Sequence, residues 1–132
     1  MLLIQDYKVY KNLNSFYRLW ENGSKYMISE IRIIPMSSKD DDMKNKSTIE
    51  VQHDFFMTTL MNRARGKYYY KTRIKAIPNS LFLFQYKGQI IASANLISID
   101  EDNIKSPYKG AFLLKKDSIK IFNPITSDKF KK

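Results

Sequence analysis

Apolar residues recur at helical spacing between Ile49 and Ala64, and from Gly66 onward at every second position. The first pattern, carried by Ile49, His53, Phe56, Met57, Leu60, Met61 and Ala64, predicts a helix over 48–65. Ser47 or Thr48 can cap it, and Glu50 sits in the first turn where the helix dipole favours a negative charge. An earlier helix is predicted over 13–22, capped by Asn14, with Phe16, Leu19 and Trp20 on one face and Gly23 ending it. The β-branched and aromatic content of 25–34 predicts a strand that stops at Pro35.

The period-two half predicts a hairpin over 81–86 and 89–99, joined by the two-residue turn Lys87-Gly88, with Phe84 opposite Ile91 and Leu83 opposite Ala92. A further strand is expected within 69–74, and a second hairpin over 110–114 and 118–122 that turns at 115–117. Leu81, Phe82, Leu83 and Phe84 are apolar on both faces, so this strand is buried on both sides. A sheet curved into a barrel, or one covered by a helix, would do this, and the small residues Ala92, Ser93 and Ala94 would let a helix lie close. The fold class is therefore α+β, a small curved mixed sheet or barrel of five or more strands with two flanking helices. The 132 residues read as one domain, with an exposed polar loop at 37–46 and a short basic tail at 127–132.

Charge changes the picture next. The net charge is +10, yet 55–99 holds no Asp or Glu while Arg63, Arg65, Lys67, Lys71, Arg73, Lys75 and Lys87 lie within it. Six of these fall in the thirteen residues 63–75, interleaved with Tyr68, Tyr69 and Tyr70. Lys and Arg neutralise phosphates, and tyrosine faces stack on unpaired bases at about 1–3 kcal/mol each. The candidate nucleic-acid-binding set is Arg63, Arg65, Lys67, Tyr68, Tyr69, Tyr70, Lys71, Arg73 and Lys75. Folding alone accounts for part of it. Arg63 and Arg65 suit the negative end of a helix dipole, and period two sends Tyr69 to the face opposite Tyr68 and Tyr70, so at least one tyrosine is structural.

Other chemistry finds little support. With no cysteine there is no disulfide, cysteine nucleophile or cysteine-rich zinc site, and the chain is compatible with a reducing cytoplasm. His53 is the single histidine, and a metal triad or acid–base dyad needs partners it lacks. Asp40, Asp41 and Asp42 lack the spacing of a calcium loop and read as a solvated charge run. The isolated glycines form no phosphate loop, Trp20 reads as core, and no cofactor or metal is called for. The first four residues, followed by Gln5 and Asp6, are too short for a signal-peptide core, and no apolar stretch would span a bilayer.

Four segments carry a resemblance: 79–86 with Asn79, Ser80 and the strand to Tyr86; 89–94 with its small residues; 108–112 with Tyr108, Lys109 and Gly110; and 118–125 ending in Pro124-Ile125. Together they resemble the PUA-like superfamily of small β-barrels, with its EVE and ASCH branches, over about residues 78–125. The likeness is to the amino-terminal domain ahead of HNH nucleases in bacterial restriction-type proteins. That resemblance implies a barrel that recognises nucleic acid or holds a modified base, with the segment before the central strand, here 65–77, bordering the pocket. It implies no catalysis here.

Two partners follow from this reading. The first is DNA or RNA, as a single strand or a modified or flipped base in a bacterial or phage defence setting, bound without catalysis. The second is an acidic or nucleic-acid-binding protein surface, as for an anti-restriction or anti-CRISPR type of inhibitor that docks on a defence enzyme.

Overall fold

The computed structural model describes residues 29–126. The helix expected at 13–22 with Trp20, the first residues of the strand expected at 25–34, and the tail at 127–132 lie outside them. Among the described residues six strands are formed: β1 Ile31–Pro35, β2 Lys67–Tyr70, β3 Leu81–Tyr86, β4 Gln89–Asp100, β5 Gly110–Leu114 and β6 Lys120–Thr126. They make one mixed sheet in the order β1-β3-β4-β5-β2, with β6 also paired to β4. Only β1–β3 is parallel. The path ends at β1 and β2, which do not pair with each other, so the sheet is open and the expected barrel is not formed. One helix accompanies it among the described residues, which keeps the class at α+β.

That helix, α1, runs through Thr48–Glu50 as α-helix, Val51–Thr59 as π-helix and Leu60–Asn62 as α-helix. Ser47 caps it in a reciprocal box: Glu50 N–H donates to Ser47 Oγ at 3.2 Å and Ser47 N–H to Glu50 Oε1 at 2.8 Å. The buried set is Val51, Gln52, Phe55, Phe56 and Leu60. Positions four and five apart share one face only when the helix winds wider than an α-helix, which i→i+5 bonding brings about. The hydroxyls of Thr58 and Thr59 donate to carbonyls five residues back, at His53 and Asp54, and follow the same winding. The expectation built on α-helical spacing is corrected accordingly. Ile49 is 66% exposed, His53 is exposed, and the helix stops at Asn62 because Arg63 turns extended.

The Lys87-Gly88 turn forms as expected, with both residues at positive φ and Tyr86 opposite Gln89. The register beyond it differs by one from the expectation. Phe84 lies opposite Ala92 and Leu83 opposite Ser93, because Ile91 is an extra residue at a bulge. The ladder to β6 is interrupted at the same place, between Ile90 and Ala92. Ile91 therefore joins Ala92 on the core face, and its carbonyl is left for another donor. Gln52 supplies it: buried on α1, its Nε2 donates to Ile91 O at 2.9 Å and to Phe122 O at 2.7 Å.

The second expected hairpin is not formed. β5 and β6 do not pair with each other; β5 takes Leu96–Asp100 of β4, and β6 takes Gln89–Ser93. Twelve residues of β4 offer more ladder groups than the five of β5 can satisfy, so the chain continues along the same strand. Between the two pairings Lys115 N–H donates to Asn95 O at 2.9 Å, and Asn95 N–H to Ser118 Oγ at 2.8 Å. The early strand also shifts, to Lys67–Tyr70, and 71–80 joins no ladder.

The core lies between α1 and one sheet face, where Phe55, Phe56, Tyr68, Phe82, Phe84 and Phe112 meet at ring centroid distances of 4.8 to 6.1 Å. Ala92 and Ala94 are small on that face, which leaves room for the helix. Leu81, Phe82, Leu83 and Phe84 of β3 are all fully buried, as the apolar run implied. Loop 37–46 is tied down: Met43 enters the core, and Tyr86 Oη donates to Lys46 O at 2.7 Å.

Replacing Gln52 with leucine leaves two buried carbonyls without their donor, and a lost buried partner costs about 1–3 kcal/mol each. Urea unfolding of Gln52→Leu is expected to show a lower midpoint with an unchanged slope. An unaltered midpoint would mean that the amide does not pin the bulge.

Candidate anion-binding cleft

Strand alternation sorts the three tyrosines of β2. Tyr68 and Tyr70 face the core and stack near Phe112, while Lys67 and Tyr69 face the other way. The ladders align these outward residues in two rows, Lys67–Leu113–Ser98 and Tyr69–Ala111–Asp100. The loop 101–109 stands beside them. Strand rows and loop together enclose a cleft of about 810 Å³ whose lining includes Arg65, Lys67, Tyr69, Asp100, Lys105 and Tyr108. Arg65 is placed by a left-handed turn at φ 61 followed by Gly66 at φ 56. A side chain at 66 would meet Leu114 O at 2.7 Å, so glycine is required there on two counts.

Not all of the predicted basic residues reach this cleft. Arg63 turns inward: Nη2 donates to Asp42 Oδ2 at 2.9 Å, Nη1 donates to Lys67 O at 3.0 Å, and its guanidinium lies 5.2 Å from the Tyr69 ring centre. Lys71 lies 4.0 Å from Asp40 Oδ2 and 5.6 Å from the Tyr108 ring centre. Arg73 Nε donates to Glu101 Oε2 at 3.1 Å. It lines a separate groove of about 500 Å³ with Lys75, Ile77 and Glu101. The acid-free window of the sequence is thus not acid-free in space. Asp40, Asp42 and Glu101 fold onto Lys71, Arg63 and Arg73, while Arg65, Lys67, Lys75 and Lys105 form no ion pair among the described residues.

The cleft also contains residues that the sequence reading did not select: Asp100, Asp102, Asn103, Lys105 and Tyr108. Tyr108 packs on Tyr69 with ring centroids 5.5 Å apart and planes at 41°, forming an aromatic wall. A tyrosine beside lysines in an otherwise polar stretch was the available signal, but it lies far along the chain from Tyr69. Tyr108 Oη is 3.5 Å from each carboxylate oxygen of Asp40, and burial followed by Asp40 and Asp42 pushes its hydroxyl pKa up. Among the described residues no cluster of His, Asp and Glu is placed to hold a metal ion, and Asp42 and Asp40 serve as partners for Arg63 and Lys71.

On the core side, Tyr70 Oη donates to Glu101 Oε2 at 2.9 Å, which Arg73 also bonds. Burial first, and then this bond, push the Tyr70 hydroxyl up to about 12. Burial also drives Tyr68 upward. The bonds from Tyr70 and Arg73 hold the Glu101 carboxyl below its ordinary value. Gly110 is needed opposite Tyr70, since a side chain there would strike the tyrosine hydroxyl.

No family model, curated protein or solved structure matches this chain. Among the described residues, no helix is long and apolar enough to cross a membrane.

A raised folded-state pKa means that the neutral Tyr70 contributes stability fully below its ordinary value of 10.0, and that this is lost as pH rises towards about 12. The thermal midpoint is expected to fall across that window, less steeply in Tyr70→Phe. An equally steep fall in the variant would assign the alkaline loss to other tyrosines.

Proposed function

We propose that the cleft binds single-stranded nucleic acid, without catalysis. The observation that carries this reading is the meeting of three cations without ion pairs, Arg65, Lys67 and Lys105, around a wall made by the Tyr69–Tyr108 pair. Cations hold the phosphates, and an aromatic wall offers a face to an unstacked base. Duplex DNA keeps its bases stacked and has little use for such a wall. An acidic protein surface would engage the lysines and arginine alone, and the paired rings would then serve only to seat Arg63 and Lys71. The predicted basic set contracts to Arg65 and Lys67, joined by Lys105. Arg63, Tyr68 and Tyr70 serve the fold, and Lys71 and Arg73 are engaged by carboxylates.

Each phosphate neutralised on a single strand contributes about 0.7 to the slope of log affinity against log salt. Three cations give a slope of about −2 for a short oligonucleotide followed by fluorescence anisotropy between low and physiological salt. Arg65→Ala with Lys105→Ala should flatten that slope by about 1.4, whereas Arg73→Ala should change it less. A flat salt dependence in the unaltered protein would remove the reading.

A further inference from the structure

We infer that residues 1–28 dock on the face of the sheet opposite α1, where the helix predicted over 13–22 lies along β4 with Phe16, Leu19 and Trp20 against the strands. That face is closed to water. Leu81, Leu83, Ile90, Leu113 and Ile125 are each at most 2% exposed, yet none of them belongs to the core under α1. Strand alternation sets them apart: Phe82 and Phe84 of β3 and Ala92 and Ala94 of β4 face α1, so Leu81, Leu83, Ser93 and Asn95 face away. Ser93 and Asn95 are buried as well, and their side-chain polar atoms bond nothing among the described residues.

No described segment accounts for this burial. α1 packs on the other face, and loops 37–46 and 71–80 send Met43, Ile74 and Ala76 to that same side. Loop 101–109 stands over the far end, where Ser98 and Asp100 are half-buried and the cleft opens. Side chains closed to solvent within a single chain are covered by another part of that chain, which leaves 1–28 and 127–132. The second offers one apolar side chain, Phe130, among three lysines. The first offers the stripe of Phe16, Leu19 and Trp20, and it enters at the right place. Ser29 N–H donates to Asn79 O at 3.1 Å and Ser29 Oγ to Pro78 O at 2.9 Å, beside the start of β3. From residue 22 to Ser29 the chain reaches up to about 24 Å, enough to turn back over the sheet. Lengths agree too. A helix over 13–22 is about 15 Å long, and the stretch of β4 from Ile90 to Asn95 is about 17 Å.

Two measurements on the full chain test this. Trp20 is the single tryptophan, so its ring protons are identified directly by NMR. Nuclear Overhauser contacts are expected from that ring to methyl groups of Leu81, Leu83, Ile90 or Leu113. Contacts only to methyls of the α1 side, such as Val51 or Leu60, or none at all, would overturn the docking. In a mixture of isotope-labelled and unlabelled chains the contacts are expected within one chain; contacts between chains would give the face to a second copy and overturn it too. With no native cysteine, Ser93→Cys sets a single thiol on the face without removing a hydrogen bond to a described residue. Its reaction with dithionitrobenzoate is expected to be slow, and about tenfold or more faster once Trp20→Ala is added, because the cover then opens more readily. An equal rate with Trp20 present or replaced would count against the docking as decisively as missing contacts.

Discussion

Gln52 donates from one amide to two carbonyls that the sheet itself leaves free, those of Ile91 and Phe122. Ile91 is the residue at which β4 breaks register with β3 and with β6 together. Without a donor at that point, the longest strand would carry a buried, unpaired carbonyl near its start. The amide reaches it because α1 winds as a π-helix, which brings Val51, Gln52, Phe55, Phe56 and Leu60 to one face. Helix winding, the bulge and the change of partner along β4 therefore form one constraint. Past Leu96 the strand pairs with β5, and β5 in turn carries β2. The rows that floor the cleft are the far end of this connection.

A second constraint decides which charges are available to a ligand. Arg63 stands at the end of α1 with its guanidinium between Phe55 and Tyr69, bonded to Asp42 and to the backbone of β2. It joins loop 37–46 to the strand that bears Tyr69. An exposed ion pair contributes about 0–1 kcal/mol, but here the backbone bond and two ring faces fix the side chain as well. The positive charge of the 63–75 segment is thus divided. Arg63, Lys71 and Arg73 are neutralised by acids distant in sequence, Arg65 and Lys67 open into the cleft, and Lys75 lines the separate groove.

Features governed by neighbouring residues were legible in the chain. Ser47 and Glu50 close a cap within four residues, and Lys87-Gly88 closes a hairpin in two. Period two alone separates Tyr69 from Tyr68 and Tyr70. What could not be read depends on residues far apart. The extra residue at Ile91 is stabilised by Gln52, 39 positions away, and α-helical spacing hid the buried stripe of α1. β6 pairs with β4 instead of its sequence neighbour β5, so the second hairpin does not form, and β1 and β2 end the sheet without pairing, so it stays open. In the cleft, Lys67 and Tyr69 belong to the basic, tyrosine-rich window, whereas Asp100 is brought in by ladders and Tyr108 by the loop beside them, which no local pattern encodes.

The same ladders explain why an acid-free stretch of sequence is a poor measure of an acid-free surface. In a sheet each residue's nearest neighbours lie on the adjacent strands, about 5 Å away, while residues two apart along a strand are separated by nearly 7 Å. Lateral neighbours therefore contribute most to the local potential. Tyr69 has Ala111 and then Asp100 beside it, and Lys67 has Leu113 and then Ser98. Loop 101–109 adds Asp102 and Lys105 above them. Cation, ring and carboxylate thus succeed one another across the cleft. A uniform basic stripe would attract any polyanion equally; this register instead sets rings and carboxylates among the cations of the cleft.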